Sequence, residues 1–178
     1  MGRIFLGAIF TMVDINLQME NWNFDLLPDI IGYLLMFFGI HWLWKMEPYI
    51  SEQTRRVKKI LPICIIVSVM EDLIAVSNIE ISEVVVVLVF GMCNIILSYF
   101  LWYGIILCIQ VIEDEKGIEL KSLELYNLLK VIIGIQAVVL IVIWFGEVLT
   151  FLAFLAMIIT VMIFLVDLYY AGKRYNRW

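Results

Sequence analysis

VLTFLAFLAMIITVMIFLVDLYYA, residues 148–171, carries a single charged side chain, Asp167. A helix crossing a bilayer needs about 20 mostly apolar residues, since each one rises ~1.5 Å through a hydrocarbon core ~30 Å thick. This run satisfies that condition, and the rest of the chain resembles it. Of its 178 residues, 64% are hydrophobic and 16% are charged. Soluble domains average roughly 45–50% and about 25%. The bilayer is therefore the expected solvent, and the length suits a single domain over residues 1–178.

Working outward, five more segments qualify as spans: 4–20, 28–46, 57–77, 84–111 and 124–145. The expected fold is all-α, a polytopic bundle of six transmembrane helices. The first span has the shortest unbroken apolar stretch, ending at Val13, and the fourth is long enough to tilt or project from the membrane. The N-terminus has one Arg and a short apolar run but no small-x-small cleavage site, so it reads as a retained helix rather than a signal peptide. Leu6 also breaks the myristoylation pattern. The segment 113–130 reads as a charged turn feeding an interfacial helix start.

Orientation follows from the basic residues. Arg3 precedes span 1; Lys45, Arg55, Arg56, Lys58 and Lys59 lie between spans 2 and 3; Lys116, Lys121 and Lys130 lie around the turn into span 5; Lys173, Arg174 and Arg177 follow span 6. All fall on one side, which the positive-inside rule makes cytoplasmic, with both termini inside. The opposite side holds acids alone: Asp14, Glu20, Asp25, Asp29, Glu71, Asp72, Glu80, Glu83 and Glu147. A solvated acidic surface accounts for many of these. Any carboxylate buried among them lacks an internal counter-ion and must stay protonated or take a cation from outside.

Depth separates the two cases. On a continuous first helix Asp14 lies ~15 Å from the inner boundary, near mid-bilayer, and Glu71 and Asp72 lie ~21 Å in. Ionisable groups at such depths usually face a bundle interior or water. Spacings of three and four residues put Gly7, Thr11, Asp14 and Gln18 on one face of span 1, and Cys64, Ser68, Glu71, Ala75 and Asn78 on one face of span 3. The corresponding faces are Gly91, Asn94 and Ser98 in span 4 and Gly146, Thr150, Ala153, Met157 and Thr160 in span 6. Span 2 offers Asp25, Asp29, Gly32, Met36 and Gly39. Helices in lipid pack through small residues and join through polar ones, so these stripes are expected inside, with Gly7, Gly32, Gly39 and Gly91 as packing positions. Plain packing seams are the ordinary meaning of such stripes. The sharper reading is an outward-facing polar recess with Asp14, Glu71, Asp72, Asn94, Ser98 and Gln136 as its ligand- or cation-binding residues. Asp25 and Asp29 stand at the rim, where a carboxylate caps a helix start and Pro28 fits the first turn.

Other features carry less. His41 lies in HWLWK beside Trp42 and Trp44, an aromatic-belt position. Cys64, Cys93 and Cys108 sit in apolar runs without metal spacing and suit packing. One histidine excludes a multi-His metal site, and HExxH, GxSxG, CxxC and a Gly-rich phosphate loop are all absent. The reading is against an enzyme, although Asp14 paired with Glu71 retains an acid–base alternative.

DLLPDIIGYLLMFFGI, residues 25–40, preceded by VDINLQ, resembles a family of small, uncharacterised polytopic membrane proteins of Gram-positive bacteria with a D-L-L-P-D-x-I-G-Y signature. The match covers about the first 45 residues. It implies a bacterial plasma-membrane location and transfers no activity. Six helices with both termini inside are also similar in architecture to the substrate-binding subunits of energy-coupling-factor vitamin transporters. The alanine pair expected near the start of such subunits is replaced here by Gly7 and Thr11.

Two classes of function follow. One is a transport-related protein binding a small ligand or cation, with the bilayer as its medium, no cofactor and no nucleic acid. The other is an accessory or immunity-type subunit that docks a membrane partner through 45–59 and 113–123.

Overall fold

The computed structural model describes the backbone of residues 1–12, 16–19, 22–25, 29–76, 83–142 and 145–177, and the side chains of 1–12, 29–70, 89–142, 145, 146 and 148–177. Six α-helices dominate: α1 Gly2–Met12, α2 Asp29–Met46, α3 Ser51–Val76, α4 Glu83–Lys116, α5 Ser122–Val142 and α6 Glu147–Tyr175. Each packs against its neighbours in sequence, and α6 closes onto α1. A Cβ at Gly172 would lie 3.1 Å from the Cβ of Met1, so both termini meet at one end. All twelve Lys and Arg residues cluster toward that end, here called the basic end.

The fold departs from an all-α bundle between α1 and α2. Strands β1 Asn16–Met19 and β2 Trp22–Asp25 pair antiparallel, β1 in the stretch expected to end a first span over 4–20 and β2 between that span and the next. Its register pairs Leu17 with Phe24 and Met19 with Trp22, and Asn16 with Asp25 and Gln18 with Asn23. Apolar and polar residues thus alternate with period two on both sides of the turn, which suits a pleated strand and not a helix face. The consequence is that α1, at 11 residues, is too short to cross a bilayer alone. Of the expected stripe Gly7, Thr11, Asp14 and Gln18, the first two lie on α1 and Gln18 lies in β1, while Asp14 lies outside the described residues.

Among the described residues, three helices are long and apolar enough to cross a membrane, not six: Val89–Lys116, Ser122–Val142 and Val148–Tyr175. Local chemistry sets the other boundaries. Pro48 disfavours helical geometry at Glu47, whose φ and ψ are −128° and 79°, and α2 stops at Met46. A single 3₁₀ turn, Pro48–Ile50, then feeds α3. The acidic run Glu113–Lys116 continues α4 and is not a loop. Gly117 ends the helix with φ +63°. The Glu113 carboxylate then accepts the backbone N–H groups of Leu120 (2.8 Å), Lys121 (3.2 Å) and Ser122 (3.1 Å). These include orphan donors at the start of α5, and the bonds hold Lys121 in its positive-φ conformation.

Glycines set the closest helix contacts. A Cβ at Gly7 would come within 2.7 Å of the Gly32 carbonyl oxygen and 2.6 Å of Met36 Cγ. One at Gly39 would lie 2.8 Å from Ile4 Cγ1. The α1–α2 seam is thus backbone against backbone. Gly91 faces Leu140 across the α4–α5 seam, and Gly104 faces Val57 between α4 and α3. Among the described residues of α4, α5 and α6, the buried ones run from Leu101, up to Ile132 and from Val161 onward, in the basic half. Trp102 and Phe164 meet edge to face there, with ring centroids 5.4 Å apart.

Candidate functional site

Above that core, α4, α5 and α6 enclose a recess of about 210 Å³. Asn94 and Ser98 from α4 and Gln136 from α5 supply its polar groups, and Phe154 and Met157 of α6 form an apolar wall. The placement follows from helical period. Leu125, Leu129 and Ile132 mark the buried face of α5, and Gln136 is the next position along it. On α6 the least exposed positions between Val148 and Thr160 are Thr150, Ala153, Met157 and Thr160, and half-exposed Phe154 borders the recess beside Ala153. Asn94 and Ser98, four residues apart, share the inward face of α4.

The chemistry of the recess is neutral and hydrogen-bonding. Gln136 Oε1 is buried and has no hydrogen-bond partner among the described residues. A buried carbonyl without a donor costs about 1–3 kcal/mol, so this atom is poised to accept from a guest or to ligate a cation. The threonines of α6 are occupied: Thr150 donates to the carbonyls of Gly146 (3.0 Å) and Val142 (3.3 Å), and Thr160 to that of Ala156 (2.8 Å). Three of the six residues expected to bind a ligand therefore come together at one place. The side chains of the other three, Asp14, Glu71 and Asp72, lie outside the described residues. Asp25 is the last residue of β2 and Asp29 the first residue of α2, and residues 26–28 between them lie outside the described residues.

A second polar centre, at the basic end, was not expected from the sequence. Glu47 is 7% exposed and accepts from Tyr175 Oη at 2.7 Å while pairing with Lys116. Lys116 Nζ also lies 4.9 Å from the centre of the Tyr175 ring. Burial alone would raise the pKa of Glu47, but hydrogen bonds from Lys116, Tyr175 and Tyr49 outweigh it and hold the group below its ordinary value. Tyr49 moves upward, first through burial and then through the Glu47 carboxylate. This knot joins the α2–α3 connection to the C-terminal ends of α4 and α6. Its partners are 69 and 128 residues away along the chain, beyond any local pattern. The one local signal is Pro48, which fixes the carboxylate just past a helix end.

Also at the basic end, a wider recess of about 560 Å³ opens between α2 and the first turns of α3, bordered by Trp44, Arg55, Lys58 and Lys59. Lys58 Nζ lies 3.1 Å from His41 Nδ1 and 4.2 Å above the Trp44 ring. His41 thus accepts from a lysine at the belt level. Among the described residues, no group of three or more His, Cys, Asp or Glu side chains is arranged to hold a metal ion.

No protein family, characterised protein or solved structure matches this chain.

Proposed function

We propose that the chain is a plasma-membrane protein of six membrane-embedded helical segments, with both termini cytoplasmic, that binds or helps to move a small ligand or cation through the Asn94–Ser98–Gln136 recess. α1 and the hairpin together then take the place of one simple span. The bacterial setting rests on the likeness of residues 25–40 to the D-L-L-P-D-x-I-G-Y signature. The carrying observation is Gln136 Oε1, buried without a partner in a recess with two more hydrogen-bonding side chains. Lipid-facing positions have no use for such a group, and polar side chains inside membranes mark ligand or ion pathways.

The size and composition of the recess limit its guest. About 210 Å³ is small beside the ~300–1,000 Å³ of drug-sized pockets, which suits an ion or a ligand of few heavy atoms. The cations of the chain all lie toward the other end, so an incoming positive charge meets no internal competitor near the recess. Asp14 and Glu71 would supply the negative charge that the neutral floor lacks, and Asn94, Ser98 and Gln136 would orient the guest.

Thermal-shift measurements on purified protein with a panel of metal chlorides and small primary amines test this. At least one compound raises the melting temperature of the wild type, and Gln136→Leu, Asp14→Asn and Glu71→Gln each lose that shift while still inserting. If no compound shifts the wild type, or the shift survives in all three variants, the recess is a packing feature. Co-purification of a second membrane protein, lost on replacing Arg55 and Arg56, would favour the docking-subunit reading instead.

A further inference from the structure

The recess between α2 and α3 combines three features with no part in ligand binding at the far end. It is large, about 560 Å³, and its charge is basic. Arg55 and Lys59 make no ion pair or hydrogen bond among the described residues. They stand four residues apart on one face of α3, with Lys58 beside them, so like charges are held together at an energetic cost that an anion would relieve. Glu52 also lines the recess, but its carboxylate is paired with Arg56 at 2.6 Å. Thr54 is turned inward, to Cys108 Sγ at 4.0 Å. Ser51 remains as a hydroxyl donor at the mouth.

The third feature is what lies along the same helix face. From Arg55 and Lys59 the exposed stripe of α3 continues through Ile63, Ile66 and Met70 at spacings of four, three and four residues. Cations at one level, Trp44 beside them and an apolar row running away along α3 form the negative image of an amphiphile. A soluble anion would use the cations and leave the row without a purpose.

We infer that Arg55, Lys58 and Lys59, with Trp44 and Ser51, form a binding site for the phosphate headgroup of an anionic phospholipid. Its acyl chains lie along Ile63, Ile66 and Met70 of α3. Lys58, braced by His41 and Trp44, is the fixed point of the site, and Arg55 and Lys59 close on the headgroup from the exposed side. Juxtamembrane clusters of Lys and Arg attract anionic lipids in general. The structure goes further by giving one such cluster a cavity and an apolar track.

Native mass spectrometry of the full chain, purified in detergent with mixed phosphatidylglycerol and phosphatidylcholine, tests the site. The wild type retains phosphatidylglycerol in preference, and Arg55→Gln with Lys59→Gln lowers the retained fraction about tenfold or more. Lys173→Gln with Arg177→Gln removes the same charge from another part of the basic end and leaves retention unchanged. Arg55→Lys with Lys59→Arg keeps the charge and keeps the lipid, which separates lost binding from lost folding. Equal loss in both neutralised double variants, or loss in neither, overturns the proposal. So does displacement of the lipid by inorganic phosphate at matched concentration, which would make this a site for a soluble anion.

Discussion

The two halves of α4, α5 and α6 are built on different principles. In the basic half, Leu101, Ile105, Ile109, Leu129 and Phe164 are buried, and Glu47 locks the helix ends with a charged knot. In the far half, none of the described positions of these helices is buried, and Asn94, Ser98 and Gln136 line the seam beside apolar neighbours such as Leu140 and Met157. An apolar core and satisfied ion pairs serve stability. Each half leaves one buried amide oxygen without a partner among the described residues, Gln53 Oε1 in α3 and Gln136 Oε1 in α5, so what sets the far seam apart is a polar recess where the other half has a packed core. The far half is thus where function is sought, and the basic half is the frame that holds it.

That contrast can be broken from either side. The largest effect is expected at Glu47. Glu47→Ala leaves Lys116 without its carboxylate and Tyr175 without its acceptor, and should cost about 2–3 kcal/mol. A fall of several degrees in melting temperature in detergent would show it. Next is Gly7→Val, whose side chain would meet the Gly32 carbonyl and Met36, at a cost of about 2 kcal/mol. Gly134→Ala on α5 meets nothing within 4 Å and should instead add about 0.5–1 kcal/mol. A penalty at both sites would mean that the α1–α2 seam is not special.

Acid should act through the basic half. The folded pKa of Glu47 is held below its ordinary value of 4.5. Its contribution is therefore fully present above that value and disappears as pH falls through the lower, folded pKa. The melting temperature should be level from neutral pH to about 5 and then drop. In Glu47→Gln the drop should be smaller. The smallest stability change belongs to the far half. Gln136→Leu removes an unpartnered polar atom and should change stability by about 1 kcal/mol or less, in the stabilising direction. A large loss there would place Gln136 in the structural frame.

Much of this contrast was legible in the sequence where a single period governs. Thr150, Ala153, Met157 and Thr160 recur at helical spacing, and so do Gly91, Asn94 and Ser98, because side chains that meet no lipid are free to be small or polar. The end of the first expected span, at residues 16–19, was misread for a physical reason. The apolar content of LGAIFTMV continues a helical reading, while the alternation in NLQM and WNFD is short and breaks it only when the two strands are seen to pair. The Glu47 knot was nearly invisible, because Lys116 and Tyr175 are 69 and 128 residues away from Glu47 and only Pro48 and Tyr49 are local to it. Asn94 and Gln136 lay between these cases. The face of Asn94 was visible, Gln136 stood alone on an otherwise apolar face, and their meeting depends on how α4 and α5 rotate against the Gly91–Leu140 contact.

The central claim is that the seam of α4, α5 and α6 is a polar recess reached from outside, not a dry helix interface. Replace Cys64, Cys93 and Cys108, introduce Ser98→Cys or Ile96→Cys one at a time, and treat intact cells with a membrane-impermeant thiol reagent. Ser98 lines the recess, and Ile96, two residues away, is exposed on the opposite side of α4. The account predicts that the thiol at 98 reacts, because thiolate forms only where water reaches, and that the thiol at 96 stays inert in lipid. No reaction at 98, or equal reaction at both positions, would contradict it.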